Sequence, residues 1–160
     1  MKISIIYFTE SGNTAKAAEI IKDGMMKVEG TEVKLFGLDN IDEEYVAASD
    51  AVLFGAPTYY AGVAWQMVKF FHETQISFAG KLGAAFSTAG YEQGGSEVVL
   101  SDIISFMMAK GMLCYSGGTA LGQPFTHLGA NGFSDRIEDR RDVFEALGQR
   151  VAAKAKELFE

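Results

Sequence analysis

Short apolar and β-branched runs alternate along the chain with longer segments whose apolar positions recur every three or four residues. The runs predict five strands: Lys2 to Phe8, Glu32 to Phe36, Ala51 to Gly55, Leu82 to Ser87 and Met112 to Tyr115. Helices are predicted between them. In the first, Ala17, Ile20, Ile21, Met25 and Val28 share one face while Lys16, Glu19, Lys22 and Lys27 fall elsewhere. A short acidic helix follows near Asp42 to Val46, and Val63, Met67, Phe70, Phe71 and Thr74 mark the next. Val99, Ile103, Phe106 and Met107 mark a fourth, and Val143, Leu147, Val151 and Leu158 the last, with Ser134 and Asp135 as its predicted cap. This alternation predicts an α/β fold, a five-stranded parallel sheet with helices on both faces. Ligands of such sheets sit beyond the carboxyl ends of the strands, where the strand order reverses, so the strand-to-helix loops should carry the chemistry.

The 160 residues, 48% apolar and 22% charged, suit a single domain over 1–160 with a substantial core. The one irregular feature is the glycine-rich stretch from Ser116 to Ser134, long for an ordered connection. Lys and Arg total 14 against 21 Asp and Glu, and the net charge of −7 repels phosphate backbones and anionic membranes. Nucleic acid is therefore not an expected partner. Two uncharged stretches, 51–68 and 111–134, contain glycines, a proline and amides that do not suit a spanning helix. Ile3 to Phe8 is too short for a signal-peptide core. The lone Cys114 permits no intramolecular disulfide; taken as a small buried hydrophobe, it fits a reducing, cytoplasmic setting.

Thr9-Glu10-Ser11-Gly12-Asn13-Thr14 follows the first strand and opens the first helix. Free N–H groups converge at a helix start, and the hydroxyls and amide of this loop can add to them, so a phosphate is the expected guest. The helix dipole contributes only about 0.3–1 kcal/mol per charge, which leaves most of the binding to hydrogen bonds. Ser11 and Asn13 also suit plain helix capping. Neither G-x-x-x-x-G-K-[ST] nor G-x-G-x-x-G is present, which excludes a P-loop and a dinucleotide pyrophosphate site. The first and third strands end in Phe8-Thr9 and Gly55-Ala56-Pro57 rather than in the acids of a receiver domain.

Beyond the third strand lies Pro57-Thr58-Tyr59-Tyr60-Ala61-Gly62, with Trp65 following as a packing or interface residue. Beyond the fourth lies Ser87-Thr88-Ala89-Gly90-Tyr91, then Gly94-Gly95-Ser96-Glu97. A flat heteroaromatic ring needs aromatic faces, main-chain donors and acceptors along its rim, and glycines where backbone must come close. Both loops supply them. His72 beside Glu73 has no second histidine at metal-ligand spacing, so no metal is expected.

These three loops together resemble the flavodoxin superfamily. The third and fourth resemble its branch of FMN-dependent NAD(P)H:quinone oxidoreductases, which includes the Trp-repressor-binding-protein family. The resemblance runs through the chain in order and implies a flavodoxin-like sheet of order 2-1-3-4-5 and non-covalently bound FMN. By position, Thr9, Ser11, Gly12, Asn13 and Thr14, with the main chain of Glu10, would hold the FMN phosphate. Pro57, Thr58, Tyr59, Tyr60, Ala61 and Gly62 would border the isoalloxazine. Ser87, Thr88, Ala89, Gly90 and Gly95 would meet its pyrimidine side and the ribityl chain, with Tyr91 as a stacking candidate. Main-chain N–H groups of the fourth loop would stabilise charge on the reduced ring without a fixed cation.

The activity this implies is an oxidoreductase passing electrons from NAD(P)H through FMN to a quinone or similar acceptor, with His127 as a candidate donor to the acceptor's oxygen. The alternative is a flavodoxin-type single-electron carrier between redox protein partners. A homo-oligomer, dimer or tetramer, goes with the first expectation. The chain nevertheless lacks the extra segments with which that branch builds its tetramer and walls its substrate site. It also has Tyr59-Tyr60 where the branch often has an Arg, and Ala109-Lys110-Gly111 in place of a His.

Overall fold

The computed structural model describes residues 1–160. In chain order it comprises β1 (Lys2–Tyr7), α1 (Asn13–Met25), β2 (Glu32–Gly37), α2 (Glu43–Ala47), β3 (Ala51–Tyr59), β4 (Gly62–Val63), α3 (Trp65–Glu73), β5 (Leu82–Ala89), α4 (Ser96–Ala109), β6 (Leu113–Cys114), β7 (Gly129–Phe133) and α5 (Arg141–Phe159). The main sheet runs β2-β1-β3-β5-β6 with parallel pairings, which is the 2-1-3-4-5 order expected.

Side chains along the central strands alternate between two cores, as the period of a strand requires. Ile3, Ile5, Leu53 and Phe86 point toward α1 and α5. Ile6, Val52 and Phe54 point toward α2, α3 and α4. Ser4 also lies buried in the sheet, where its hydroxyl meets that of Ser49 at 2.8 Å while Ser49 donates to the Tyr45 carbonyl. Helices α1 and α5 approach closely at two reciprocal glycines: a Cβ on Gly24 would lie 2.1 Å from the Glu145 carbonyl oxygen, and one on Gly148 would lie 2.1 Å from that of Ile21.

Five strands were expected and seven are found. One addition, β4, arises because β3 runs on to Tyr59 and turns back on itself, pairing Thr58 with Val63 and Tyr59 with Gly62. The other, β7, lies within the stretch 116–134. There β5 is longer than β6, and after two paired residues its carboxyl half takes β7 as partner instead, from Ala85 opposite Gly129 to Ala89 opposite Phe133. The fifth strand is thus split in two by an intervening loop. Gly-Ala-Asn-Gly-Phe carries no strand signal of its own, and Gly132 is needed where a Cβ would come within 2.8 Å of the Phe144 ring. The loop is held by Arg150 of α5, only 9% exposed, which donates to the carbonyls of Pro124 (2.8 Å) and Gly122 (3.0 Å).

Three smaller expectations also change. Ser134 and Asp135 do not cap the last helix, which begins at Arg141 after a 3₁₀ turn; the Ser134 amide instead bonds the Ala89 carbonyl at 2.8 Å. Cys114 is exposed, because β6 is the edge strand. Trp65, the first residue of α3, is 63% exposed rather than packed.

Replacing Gly148 with Ala should destabilise the fold by about 1–3 kcal/mol, because no rotamer can move a Cβ away from a backbone carbonyl and the clash outweighs alanine's helix preference. Urea unfolding of the variant measures this, and an unchanged midpoint would show that α1 and α5 can separate freely.

Candidate functional site

Three loops meet at the carboxyl edge of the sheet. The first connects β1 to α1 through Gly12, whose φ of 94° is left-handed and lets the chain turn straight into the helix. The Thr9 hydroxyl accepts from the Gly12 amide at 3.1 Å. The amides of Ser11, Asn13, Thr14 and Ala15 find no acceptor in the protein, as expected where a helix begins without a side-chain cap. Asn13 donates from Nδ2 to the hydroxyls of Ser11 (3.1 Å) and Ser134 (3.3 Å). No lysine or arginine bonds to this loop, and nearby Lys16 pairs with Glu138 at 3.5 Å. The result is a cradle of neutral donors.

The second loop is the hairpin between β3 and β4. Tyr60 and Ala61 both take left-handed backbone, with φ of 49° and 60°. Two consecutive non-glycine residues in that region cost about 1–2 kcal/mol each, and the strain leaves the Tyr60 ring fully exposed at the tip. The third loop follows β5. A Cβ on Gly95 would lie 2.8 Å from the Ala61 Cα, so the third loop packs directly on the second. Gly90 has open space on its side-chain side, Tyr91 is 66% exposed, and the amides of Gly90, Tyr91, Glu92 and Gln93 find no acceptor in the protein.

Buried hydroxyls tie the loops together. Thr14 and Thr88 share a hydrogen bond of 2.8 Å, and Thr58 donates to the Thr88 carbonyl at 2.9 Å. Ser87 donates to the Ser96 carbonyl at 2.9 Å. The Tyr59 hydroxyl donates to Glu10 at 2.6 Å, bridging the first two loops, and its ring meets Phe8 edge-on. Burial, then this bond to Glu10, pushes the Tyr59 phenol up to about 12.

The structure therefore gathers Thr9 through Thr14, Pro57 through Gly62, Ser87 through Tyr91 and Gly95 at one edge. Within that set, the hydroxyls of Thr14, Ser87 and Thr88 are buried and bonded to protein, while the free donors are mostly main-chain. His127 is not among them. It is exposed beside a small cavity of about 130 Å³ lined also by Ala84, Ala85 and Cys114, midway along the sheet. Sequence reasoning missed Asn131, on β7, which is only 9% exposed. It donates to the Ser96 hydroxyl and to Glu97, both at 3.0 Å, and accepts from Arg140, so it fixes the start of α4 behind the third loop. Nothing in the local sequence marks it, because its partners are brought together only by the split strand.

A sheet of this order, with unpaired main-chain donors and exposed tyrosines gathered at its carboxyl edge, suits a phosphate-bearing aromatic ligand. The chain belongs to the flavodoxin family: residues 5–99 match the family described as Flavodoxin, whose members bind FMN non-covalently. A flavodoxin from Clostridium saccharobutylicum is 42% identical over 160 residues, covering 99% of this chain and all of that one. The solved structure of a flavodoxin from the domain Archaea superimposes with a TM-score of 0.80 at 25% identity, covering 98% of this chain and 99% of its own. An NAD(P)H dehydrogenase (quinone) from Chromohalobacter salexigens is 26% identical over 198 aligned positions, covering 98% of each chain.

These relationships overturn the expected NAD(P)H:quinone oxidoreductase. The strong full-length likeness is to a flavodoxin, and an alignment of 198 positions against 160 residues means that the quinone enzyme carries segments with no counterpart here. The loop motifs that suggested the enzyme lie at the strand ends, and they include none of the additional segments of the quinone enzyme.

Ultraviolet titration of the chain against Tyr59→Phe should show one phenol ionising near 12 in the difference. The folded chain favours the neutral phenol, so the bond to Glu10 persists below the ordinary tyrosine value near 10 and is lost as pH rises through about 12. A Tyr59 that ionises near 10 would mean the two loops are not bridged.

Proposed function

We propose that this protein carries FMN as a single domain over residues 1–160 and passes single electrons between protein partners. The observation that carries this reading is the neutral cradle of free amides at Ser11, Asn13, Thr14 and Ala15, tied by Thr14 and Thr88 to the loop that walls the slot. The residues present fit the group: the cradle suits a phosphate, and the open space at Gly90 together with the exposed rings of Tyr60 and Tyr91 suits a flat ring.

In this reading Thr9, Ser11, Gly12, Asn13 and Thr14, with the Glu10 main chain, hold the phosphate. Pro57, Thr58, Tyr59, Tyr60, Ala61 and Gly62 border one side of the ring. Ser87, Thr88, Ala89, Gly90, Tyr91 and Gly95 form the other wall. Bound FMN supplies one-electron redox chemistry. The chain contributes position and electrostatics: the unpaired amides of Gly90 and Tyr91 would stabilise negative charge on the group, and the Glu10 carboxylate within the first loop would disfavour adding more. Exposed tyrosines at the loop tips leave an edge open toward a partner.

The purified protein should be yellow with one FMN per chain, and anaerobic titration with dithionite and redox dyes should resolve two separate one-electron steps. NADH or NADPH alone should leave the flavin oxidised. Colourless protein that refuses added FMN would end this reading, and rapid bleaching by a pyridine nucleotide would end the carrier assignment.

Asn13→Asp should weaken FMN retention by about tenfold, since it sets a carboxylate against a phosphate and removes the donor to Ser11 and Ser134. Fluorescence titration of the apoprotein measures it, with far-ultraviolet circular dichroism checking the fold. Unchanged affinity would place the phosphate elsewhere.

A further inference from the structure

A groove of about 750 Å³ opens beside the first loop, between the end of β1, the connection from β2 to α2, and α3. Its size suits a drug-sized or peptide ligand. Apolar walls come from Phe8, Leu38, Ile41 and Phe70, and the exposed indole of Trp65 stands at its rim.

Two features give the groove a chemical preference. Gln66 lines it, and its side-chain oxygen is buried without a hydrogen-bond partner. A buried acceptor left unpaired lowers stability, so the site favours any occupant that brings a donor. Asp39, Glu43 and Glu73 also line the groove against a single cation, Lys69, and none of the four enters an ion pair. The carboxylates do not converge as metal ligands would. They favour an extended organic cation and repel a phosphate or a carboxylate.

We propose that this groove docks an arginine-bearing apolar segment of a protein partner. A guanidinium is flat, weakly hydrated and rich in donors, so it can stack on the Trp65 indole and face the carboxylates, and it offers the donor that Gln66 lacks when that side chain turns toward the groove. Apolar neighbours of that arginine fill the walls beside Phe70 and Ile41. Lysine suits the site less well, because its compact ammonium holds water more strongly and has no face to stack. Phe8 and Thr9 line both this groove and the first loop, so a segment seated here lies beside the proposed cofactor site without entering it. The inference goes beyond the carrier assignment and does not depend on the flavin.

Trp65 is the only tryptophan in the chain, which makes its fluorescence a direct reporter. FMN-loaded protein is titrated with acetyl-Leu-Arg-Leu-amide, following Trp65 emission and the ¹⁵N-¹H resonances of the Gln66 side-chain amide. The expected result is a saturable shift of both signals, weakened at high salt and weakened about fivefold in Asp39→Asn/Glu73→Gln, whose substitutions lie at exposed positions. Acetyl-Leu-Glu-Leu-amide should shift neither. No saturable Gln66 shift, an equal response to the acidic peptide, or an unchanged affinity in the double variant would each overturn the proposal. Equal affinity for free guanidinium ion would also overturn it, because the groove would then bind a small cation and not a segment. Flavin absorbance read in the same samples separates failure here from failure of the carrier assignment.

Discussion

Beneath the carboxyl edge of the sheet, the hydroxyls of Thr14 and Thr88 meet at 2.8 Å in a site closed to water. Thr14 lies in the first turn of α1 and Thr88 nearly ends β5, 74 residues apart. Each hydroxyl would otherwise be buried without a partner, at a cost of about 1–3 kcal/mol, so the first loop and the third loop hold one another in place. Thr58 joins the pair by donating to the Thr88 carbonyl, which brings the hairpin of Tyr60 and Ala61 into the same frame. The strain stored in that hairpin persists because Gly95 packs against Ala61 and Tyr59 is bonded to Glu10.

The electrostatic layout follows from the same frame. Neutral main-chain donors concentrate where the loops converge, while the acids lie around them and, beside the first loop, in the groove along α3. A cradle without a fixed cation binds an anion by many aligned dipoles, so its strength depends on loop geometry more than on charge. The hydrogen bonds from Asn131 to Ser96 and Glu97 and from Arg140 to Asn131 serve that geometry, bracing the third loop from behind. The split fifth strand is what delivers Asn131 there, and Arg150 holds the loop that makes the split.

Much of this is legible in the amino-acid sequence. The alternation of buried runs and amphipathic helices is a local pattern, and the strands from Lys2, Glu32, Ala51 and Leu82 begin where that pattern places them. The three loops were legible too, because hydroxyls, amides and glycines cluster at strand ends where little but ligand contact or tight turning explains them. The strand at Gly129 was not, since glycine and asparagine signal a turn and only the unpaired half of β5 makes them a ladder. Cys114 looked like core because apolar neighbours surround it in sequence, yet the split leaves β6 at the edge. The expected quinone enzyme rests on short motifs at the strand ends, which carry no information about the segments around them.

Hydrophobic periodicity and turn chemistry act over a few residues, so the chain alone determined the α/β layering and the strand ends at which hydroxyls, amides and glycines gather, while the sheet order followed from the family resemblance. Only the tertiary structure decided which hydroxyls remain free, where the fifth strand divides, and that Gln66 and three carboxylates share an open groove with Trp65. Those outcomes depend on which distant residues compete for the same partner or the same space, and that competition exists only once the layers have packed.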